Sequence, residues 1–358
     1  DSIEFRRSSD GGATWGPIQI CNSDSAAGWV QGSRPVVGPN GEVYATWYEI
    51  GISTAFSHMR IRKSVDAGAT FGPEAQIAQE YDNFGTGAPG FNRQRGISFP
   101  GIAVDRTFGP HRGRVYATWN EGVNWYNDAL GGLGIQSESE PAVSNNTTAT
   151  ANAFTPGRQL SGSISSATDA DFFSFVATQG TTYIFWCQLA LGSQLMYTMR
   201  VICSDGTSRL SLSGSDQNSA GQDGFIAWTA PTTATYYLRM AYNGPGGATG
   251  TGFYSVLTGV NGANTGERAR DQRDAFVSFS DNGTTWSTPT RANDDLGRFD
   301  NWLPEVGVAT DGMPYVMWYD FRDATNCGGN SHIYVARSVN GGTTWDASQR
   351  ITSVISPW

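Results

Sequence analysis

A short turn sequence that recurs four times constrains this chain more than any other feature. Its copies read RSSDGGATW, KSVDAGATF, SFSDNGTTW and RSVNGGTTW, at residues 7–15, 63–71, 278–286 and 337–345. Such self-similarity indicates a repeat architecture, in which one structural unit is copied along the chain. Within the turn, Asp or Asn accepts hydrogen bonds from nearby backbone amides and Gly supplies a positive φ. The fourth copy favours a role in folding, because Asn340 can form the same turn but cannot act as a general base.

A second element precedes the complete copies of the turn and gives the unit its size. It reads RPVVGPNGEVYATWYE (34–49), FPGIAVDRTFGPHRGRVYATWNE (99–121) and LPEVGVATDGMPYVMWYD (303–320). Two alternating strands joined by a turn predict a β-hairpin, and the repeated turn then joins a third strand to a fourth. Each unit of about 55 to 60 residues therefore has the size of a β-propeller blade. The sequence predicts three nearly whole blades and the closing half of another at the N-terminus.

One long interval interrupts the repeat. The interval from Trp119 to Asp281 exceeds the corresponding intervals by about 140 residues, and it contains alternating apolar runs separated by turn residues. That pattern predicts a small β-sandwich. The predicted domains are propeller blades in 1–125, an inserted sandwich in 140–262, and further blades in 270–358. Because a closed propeller needs at least about four blades, we expect the missing ones to come from the rest of a longer chain or from another copy.

Two family resemblances follow from these motifs. The repeated turn resembles the Asp-box of the BNR repeat, and the chain outside the insert resembles the six-bladed sialidase (neuraminidase) β-propellers. The insert resembles the bacterial pre-peptidase C-terminal (PPC) domain, a jelly-roll-like non-catalytic module, in DADFFSFVATQGTTYIF (169–185) and TATYYLRMAY (233–242). The resemblances imply an all-β protein, a partial six-bladed propeller with an inserted β-sandwich, that is secreted or on the cell surface. The residues to which they assign a structural Asp-box role are Asp10, Trp15, Asp66, Phe71, Asp281, Trp286, Asn340 and Trp345.

The face opposite the repeated turns carries the candidate site. Carboxylates, arginines and aromatic residues are expected to converge there, which is a composition suited to an acidic sugar or another carboxylated ligand. Sialidases use an arginine triad for the substrate carboxylate, a Tyr–Glu pair as nucleophile and an Asp as acid/base. By that resemblance we expect Tyr319 with Glu49 or Glu121 as the nucleophile pair and Asp320 as the acid. The candidates for substrate binding are Arg34, Arg93, Arg95, Trp302 and Arg322.

The sequence departs from the sialidase pattern at one important position. The first arginine of the triad normally lies two residues before the proline of the first strand, and here Ser33, Ser98 and Trp302 occupy that position. Either the arginine-bearing blade is among those missing, or the protein has kept the scaffold without the activity. Two hypotheses therefore remain: a protein that engages extracellular glycans and hydrolyses them as an exo-glycosidase, or a non-catalytic binding, adhesion or structural surface protein.

Composition narrows the partners and cofactors. A net charge of −9 argues against nucleic acid, and the absence of a long apolar run argues against a membrane span. We therefore expect an extracellular glycan or glycoprotein as partner. No cofactor is expected to be required, although the acidic loop NDDLGRFDN (293–301) leaves calcium binding open. Cys187 and Cys203 flank two strand-like runs, and either form a disulfide across a hairpin or remain buried thiols.

Overall fold

The fold is built almost entirely of β-strands. The computed structural model describes residues 2–23, 30–50, 57–81, 98–124, 128–206, 209–214, 224–244, 250–262, 269, 273–297, 299–324 and 329–357. The one helix among these residues is a three-residue 3₁₀ segment, Thr148–Thr150. The predicted all-β fold is therefore confirmed. None of the same residues forms a helix with the length and hydrophobicity needed to cross a membrane.

The first part of the chain forms a short hairpin and one complete blade. The N-terminal hairpin pairs β1 (Glu4–Phe5) with β2 (Gln19–Ile20) in an antiparallel manner. The first blade is an antiparallel sheet of four strands in chain order. Its strands are β3 (Val30–Val37), β4 (Val43–Glu49), β5 (Ser57–Ser64) and β6 (Ala75–Glu80).

The second blade begins and is then interrupted by the insert. Its first two strands are β7 (Gly101–Val104) and β8 (Val115–Glu121). The strands of the insert are β9 (Ile135–Ser137), β10 (Asn152–Ala153), β11 (Gln159–Ile164), β12 (Ala170–Ala177), β13 (Thr182–Gln188), β14 (Tyr197–Ile202), β15 (Arg209–Gly214), β16 (Gly224–Thr229), β17 (Ala234–Tyr242) and β18 (Gly252–Val260). They form two five-stranded sheets, β10-β12-β17-β14-β15 and β16-β13-β18-β11-β9, whose buried side chains share one hydrophobic core. The insert is a β-sandwich, as predicted.

After the insert the chain completes the second blade and adds a third. The second blade is finished by β19 (Asp274–Ser280) and β20 (Thr290–Arg291), in the order β7-β8-β19-β20. The third blade contains β21 (Asn301–Val308), β22 (Pro314–Asp320), β23 (Asn330–Arg337) and β24 (Gln349–Arg350), and β25 (Ser356–Pro357) also pairs with β23. The first strands of neighbouring blades lie in contact, β3 with β7 and β7 with β21, so the three blades stand side by side.

Blades are held together by apolar side chains on both faces of their second strands. Trp47 packs toward the N-terminal hairpin, Trp119 toward the first blade and Trp318 toward the second blade, and all three indoles are buried. Side chains alternate along a strand, so the residues between these positions point toward the following blade. Each blade is therefore stabilised by covering both of its faces with its neighbours.

The repeated turn is a hydrogen-bonded unit with a folding role. In the copy on the first blade, the amide of Thr70 donates to Asp66 Oδ1 at 2.8 Å and its hydroxyl donates to Asp66 Oδ2 at 2.7 Å. The hydroxyl of Ser64 donates to Asp66 Oδ1 and accepts from the Gly68 amide. The hydrogen bonds from Thr70 hold the pKa of Asp66 well below its usual range. The carboxylate is thus occupied by its own turn.

The other copies show how the motif is varied. The turn after β1 repeats the pattern with Ser8, Asp10, Gly12 and Thr14, and the copy after β23 uses Asn340, which accepts from the Thr344 amide at 2.9 Å. In the copy after β19, the assignment of Asp281 as the box residue is wrong. Asn282 accepts from the amides of Thr284 and Thr285, because this turn is one residue shorter.

The predicted disulfide between Cys187 and Cys203 is wrong. Cys187 is a buried thiol, whereas Cys203 is disulfide-bonded to a partner other than Cys187 or Cys21. The physical reason is sheet topology. Cys187 lies in β13, which pairs with β16 and β18, while Cys203 follows β14, which pairs with β15 and β17 in the opposite sheet. Consecutive strands do not form a hairpin here.

Candidate functional site

The predicted acids at the ends of the second strands follow a tryptophan by two residues. This spacing places the acid and the indole on the same side of the strand. The indole Nε1 of Trp119 donates to Glu121 Oε2 at 3.1 Å, and that of Trp318 donates to Asp320 Oδ2 at 2.8 Å. Since the tryptophans face the preceding blade, the carboxylates are drawn into the blade interface with them. Both carboxylates are fully buried.

Asp320, the predicted catalytic acid, is enclosed by Arg322. The guanidinium donates to both carboxylate oxygens, from Nε to Oδ1 at 3.0 Å and from Nη2 to Oδ2 at 2.8 Å. Asn301 Nδ2 donates to Oδ2 as well, at 3.1 Å. Such a bidentate pair fixes the geometry of both groups. The structure therefore brings two predicted site residues together, but they bind each other rather than facing an open site.

Glu49 is engaged in a similar manner within the first blade. Arg60 on the adjacent strand donates to both carboxylate oxygens, at 3.2 and 3.1 Å, and His58 Nδ1 lies 3.5 Å from Oε1. Contact with His58, together with the hydrogen bonds and charge of Arg60, lowers the pKa of Glu49 against the opposing effect of burial. A lowered pKa keeps this carboxylate ionised.

Trp302, a predicted ligand contact, lies inside the protein. Its exposure is only 2%, and Phe321 packs against it in a small apolar cluster. The guanidinium of Arg273 lies 5.0 Å from the centre of the indole ring, a distance typical of a cation–π contact. Its Nε1 donates to Asp300 Oδ2 at 3.2 Å. In this arrangement Trp302 anchors the start of β21 and is not accessible to a ligand.

The predicted arginines have different surroundings. Arg93 and Arg95 lie outside the described residues. Arg322 is largely enclosed, with 19% of its side chain exposed, whereas 49% of the Arg34 side chain is exposed. Of the predicted arginines that the structure describes, Arg34 is thus the one that a ligand can reach.

Arg34 takes part in a contact that spans three blades. Its Nη2 lies 2.7 Å from Glu305 Oε1, which joins β3 of the first blade to β21 of the third. The three residues Arg34, Gly101 and Glu305 occupy equivalent positions, opposite Thr46, Thr118 and Met317 on their second strands. A Cβ on Gly101 would lie 3.1 Å from Glu305 Oε2, so glycine leaves the room that this ion pair needs. Tyr319 and Phe99, from the predicted rim, line a neighbouring cavity that also includes Arg34.

The acidic loop 293–301 is filled by protein groups. Asn293 Nδ2 donates to Asp274, Asp295 and Asn301, each at 2.6 Å. Arg322 Nη1 donates to Asp294 Oδ1 at 2.9 Å. The positive charge expected of a calcium ion in this loop is thus supplied by a guanidinium.

A different group of carboxylates has the character of a cation site. Glu140, Asp169 and Asp171 place one oxygen each within 4.8 Å of one another, at the edge of the inserted sandwich. Asp171 Oδ1 and Asp169 Oδ1 are buried and have no hydrogen-bond partner, and the same holds for Glu138 Oε2 and Asn145 Oδ1. Buried oxygens without donors are costly unless a cation or a proton neutralises them.

The charge of this cluster is visible in the pKa of Asp171. Burial, a hydrogen bond with Glu138, and the charges of Glu138 and Asp169 raise it to about 9, although the hydroxyl of Tyr254 donates to Oδ2 at 2.7 Å and opposes the shift. An aspartate with such a pKa carries a proton at neutral pH. A cation bound at the cluster would take the place of that proton.

The donor set fits a hard cation. All the candidate ligand atoms are carboxylate or amide oxygens, which calcium prefers, and nitrogen and sulfur donors are not part of the group. Glu138, Glu140, Asp169 and Asp171 would hold such an ion. They were not singled out from the sequence, although each pair is separated by two residues, the spacing that places side chains on one side of an extended strand.

Comparisons with known proteins give weak structural similarities. No protein-family model and no curated protein matches the chain. It is similar to the K499G mutant of the NanB sialidase from Streptococcus pneumoniae, at 10% identity and a TM-score of 0.32, over 94% of this chain and 54% of the other. It is also similar to the GH93 α-L-arabinofuranosidase of Fusarium graminearum, at 10% identity and a TM-score of 0.25, over 90% and 67%. The chain thus spans about half the length of the NanB structure, and its blade architecture rests on its own sheet topology.

The buried pair formed by Asp320 and Arg322 predicts a large effect of mutation on stability. Replacing Arg322 with Met leaves the carboxylate of Asp320 buried without its counter-charge, so we expect the free energy of unfolding to fall by about 3 kcal/mol. The double variant Arg322→Met/Asp320→Asn should recover part of this loss. Denaturant unfolding followed by tryptophan fluorescence measures both changes.

A matched control uses the exposed pair on the other side of the blades. Arg34→Met removes a guanidinium from a half-exposed ion pair, and it should cost less than about 1 kcal/mol. An Arg322→Met variant as stable as the native chain would show that Arg322 does not neutralise Asp320.

Proposed function

We propose that this chain belongs to an extracellular propeller protein that engages glycans by binding them, without hydrolysing them. The observation that carries the proposal is the enclosure of Asp320, whose two oxygens are both held by Arg322. A general acid must come within hydrogen-bond reach of the leaving oxygen, and its pKa must lie near the working pH. Asp320 is buried and bonded on both oxygens, which favours a structural role.

The candidate nucleophile pairs support the same conclusion. A nucleophilic carboxylate has to approach the anomeric carbon of the sugar. Glu121 is fully buried beside Trp119, and Glu49 is held by Arg60 and His58. Releasing either carboxylate would leave a buried donor without its acceptor, which is unfavourable. These acids are suited to stabilising blade interfaces.

For the ligand we propose a carboxylated glycan that binds at Arg34. A guanidinium can bind a carboxylate through two parallel hydrogen bonds, and half of the Arg34 side chain is open to solvent. Its present partner, Glu305, is also exposed, so exchange for a ligand carboxylate costs little. The exposed aromatic and apolar groups beside it would contact the sugar ring.

A second proposal concerns the inserted sandwich, which we propose binds calcium. It is favoured by the buried oxygens without partners at Asp169 and Asp171 and by the proximity of Glu140. The ion would supply positive charge to an acidic cluster and stabilise the edge of the sandwich. No catalytic role is assigned to it.

The glycan proposal predicts binding without turnover. The native chain should leave a fluorogenic sialoside and a fluorogenic arabinofuranoside intact, yet bind sialyllactose in isothermal titration calorimetry. Arg34→Ala should weaken that binding about tenfold, because it removes the charged contact to the carboxylate. Arg158→Ala, an arginine of the inserted sandwich, is the control and should bind as the native chain does.

Two results would contradict the glycan proposal. Turnover that is lost in Asp320→Asn would assign catalysis to the buried acid. Absence of binding by the native chain would remove the glycan as its ligand.

The calcium proposal predicts a particular pH dependence of stability. With EDTA present, the raised pKa of Asp171 contributes stability that is full below the ordinary aspartate pKa and is lost as the pH rises toward 9. The melting temperature of the sandwich should therefore fall between pH 5 and pH 9, and calcium should reverse the fall. Differential scanning calorimetry measures this.

The matched variants separate the site from general charge effects. Asp171→Asn should remove most of the pH dependence and most of the stabilisation by calcium. Asp311→Asn, an exposed acid in a turn of the third blade, should change neither. If calcium stabilises the native chain and Asp171→Asn equally, the ion binds elsewhere.

A further inference from the structure

The third blade exposes a face that the equivalent strands of the other blades bury. All residues of β4 and β8 are buried, whereas burial alternates along β22. Met317 is 43% exposed, while Thr46 and Thr118 at the equivalent positions are fully buried. A cavity of about 410 Å³ opens on this face, and Met317, Tyr319 and Ile333 line it. In the described part of the chain, no blade follows to cover them.

The N-terminal hairpin presents the complementary surface. In three of the repeated turns the aromatic residue packs toward the preceding unit: Phe71 lies 4.9 Å from Phe5, Trp286 packs against the core shared by the first and second blades, and the Trp345 indole donates to Thr290 of the second blade. Trp15, the residue at this position in the hairpin, is 57% exposed. Its surroundings lack the unit that covers the other three.

The glycines of the turns show the same relationship. A Cβ on Gly68, Gly283 or Gly342 would meet an aromatic ring of the preceding unit at 3.0, 2.5 or 3.0 Å. These rings belong to Phe5, Tyr44 and Tyr116. Gly12, the equivalent residue of the hairpin turn, faces open space. Tyr315 of the third blade, at the position of Tyr44 and Tyr116 on the second strand, meets no glycine of a following turn in the described residues.

A cation also joins each blade to the next turn. Lys63 Nζ donates to the carbonyl of Asn282 at 2.9 Å, and Arg114 Nη1 donates to the carbonyl of Gly341 at 2.9 Å. Arg7 lies farther from its acceptors, the carbonyls of Asp66 and Ala67, at 3.5 and 3.4 Å. Arg337 has the position of Lys63 relative to its turn, but it is exposed and pairs with Asp346 of its own blade.

From these observations we propose that the hairpin of a second copy of this chain docks on the open face of the third blade. Arg337 then donates to the carbonyls of Asp10 and Gly11 in the partner copy, and Tyr315 packs against its Gly12. Trp15 covers the outer strands, as Trp345 does on the second blade. The two surfaces differ, so the contact is head-to-tail rather than two-fold symmetric.

The physical chemistry of the two surfaces supports this occupant. The contact repeats an arrangement of ring, glycine and cation that already joins the blades of this chain. The exposed ion pair of Arg337 and Asp346 contributes little and is exchanged readily. Covering Trp15 and Met317 removes apolar surface from water, which favours association.

Sedimentation of the full chain over a range of concentrations tests the proposal. The native chain should self-associate reversibly. Arg337→Glu and Trp15→Ser should each weaken self-association at least about tenfold, since each removes a central contact of one surface. Arg158→Ala changes the same charge in the sandwich and should associate as the native chain does.

Mixing the variants distinguishes a head-to-tail contact from any other. Arg337→Glu keeps an intact hairpin and Trp15→Ser keeps an intact third blade, so an equimolar mixture should form a one-to-one dimer with native affinity. A native chain that is monomeric at every concentration would overturn the proposal. So would a mixture that associates no better than either variant alone.

Discussion

The structure depends on one constraint: each blade has two apolar faces, and another β-sheet has to cover both. The buried tryptophans of the second strands meet this requirement on the side of the preceding unit. Aromatic and apolar residues between them meet it on the side of the following unit. Because side chains alternate along a strand, the residue two positions after each tryptophan faces the same interface. This explains why Glu121 and Asp320 lie buried beside indole rings.

The same constraint separates the roles of the two ends of each blade. The repeated turns hold the third and fourth strands together by internal hydrogen bonds, and their glycines allow an aromatic ring of the neighbouring blade to approach. The first strands meet near the common axis, where Arg34 and Glu305 form an ion pair across Gly101. Of these groups, only the ion pair is open to solvent. A ligand that binds the propeller is therefore expected to compete with Glu305 for Arg34.

The sequence was sufficient for the features that depend on local pattern. The turn motif, the paired strands and the alternating runs of the insert predicted blades and a sandwich, because each of these is encoded within a few tens of residues. The register of the third turn was missed, since Asp281 and Asn282 are adjacent and both can accept the required hydrogen bonds. The disulfide was missed because strands that follow each other in a sandwich often belong to opposite sheets, as β13 and β14 do.

The candidate site was less predictable because it depends on the direction of side chains. The sequence placed Asp320 and Arg322 at one rim, but it gave no sign that they bind each other. It also suggested calcium in the loop 293–301, whereas the buried oxygens without partners lie in the insert. Glu138 and Glu140 are separated from Asp169 and Asp171 by about thirty residues, and only the folding of the sandwich brings them together.

The account holds that the acids of the propeller are structural and that the cation site lies in the insert. Diffraction from crystals grown with calcium, collected for anomalous scattering, tests this directly. The account predicts one strong anomalous peak among Glu138, Glu140, Asp169 and Asp171, and none beside Asp320. A peak in the loop 293–301, together with an empty cluster in the insert, would contradict it.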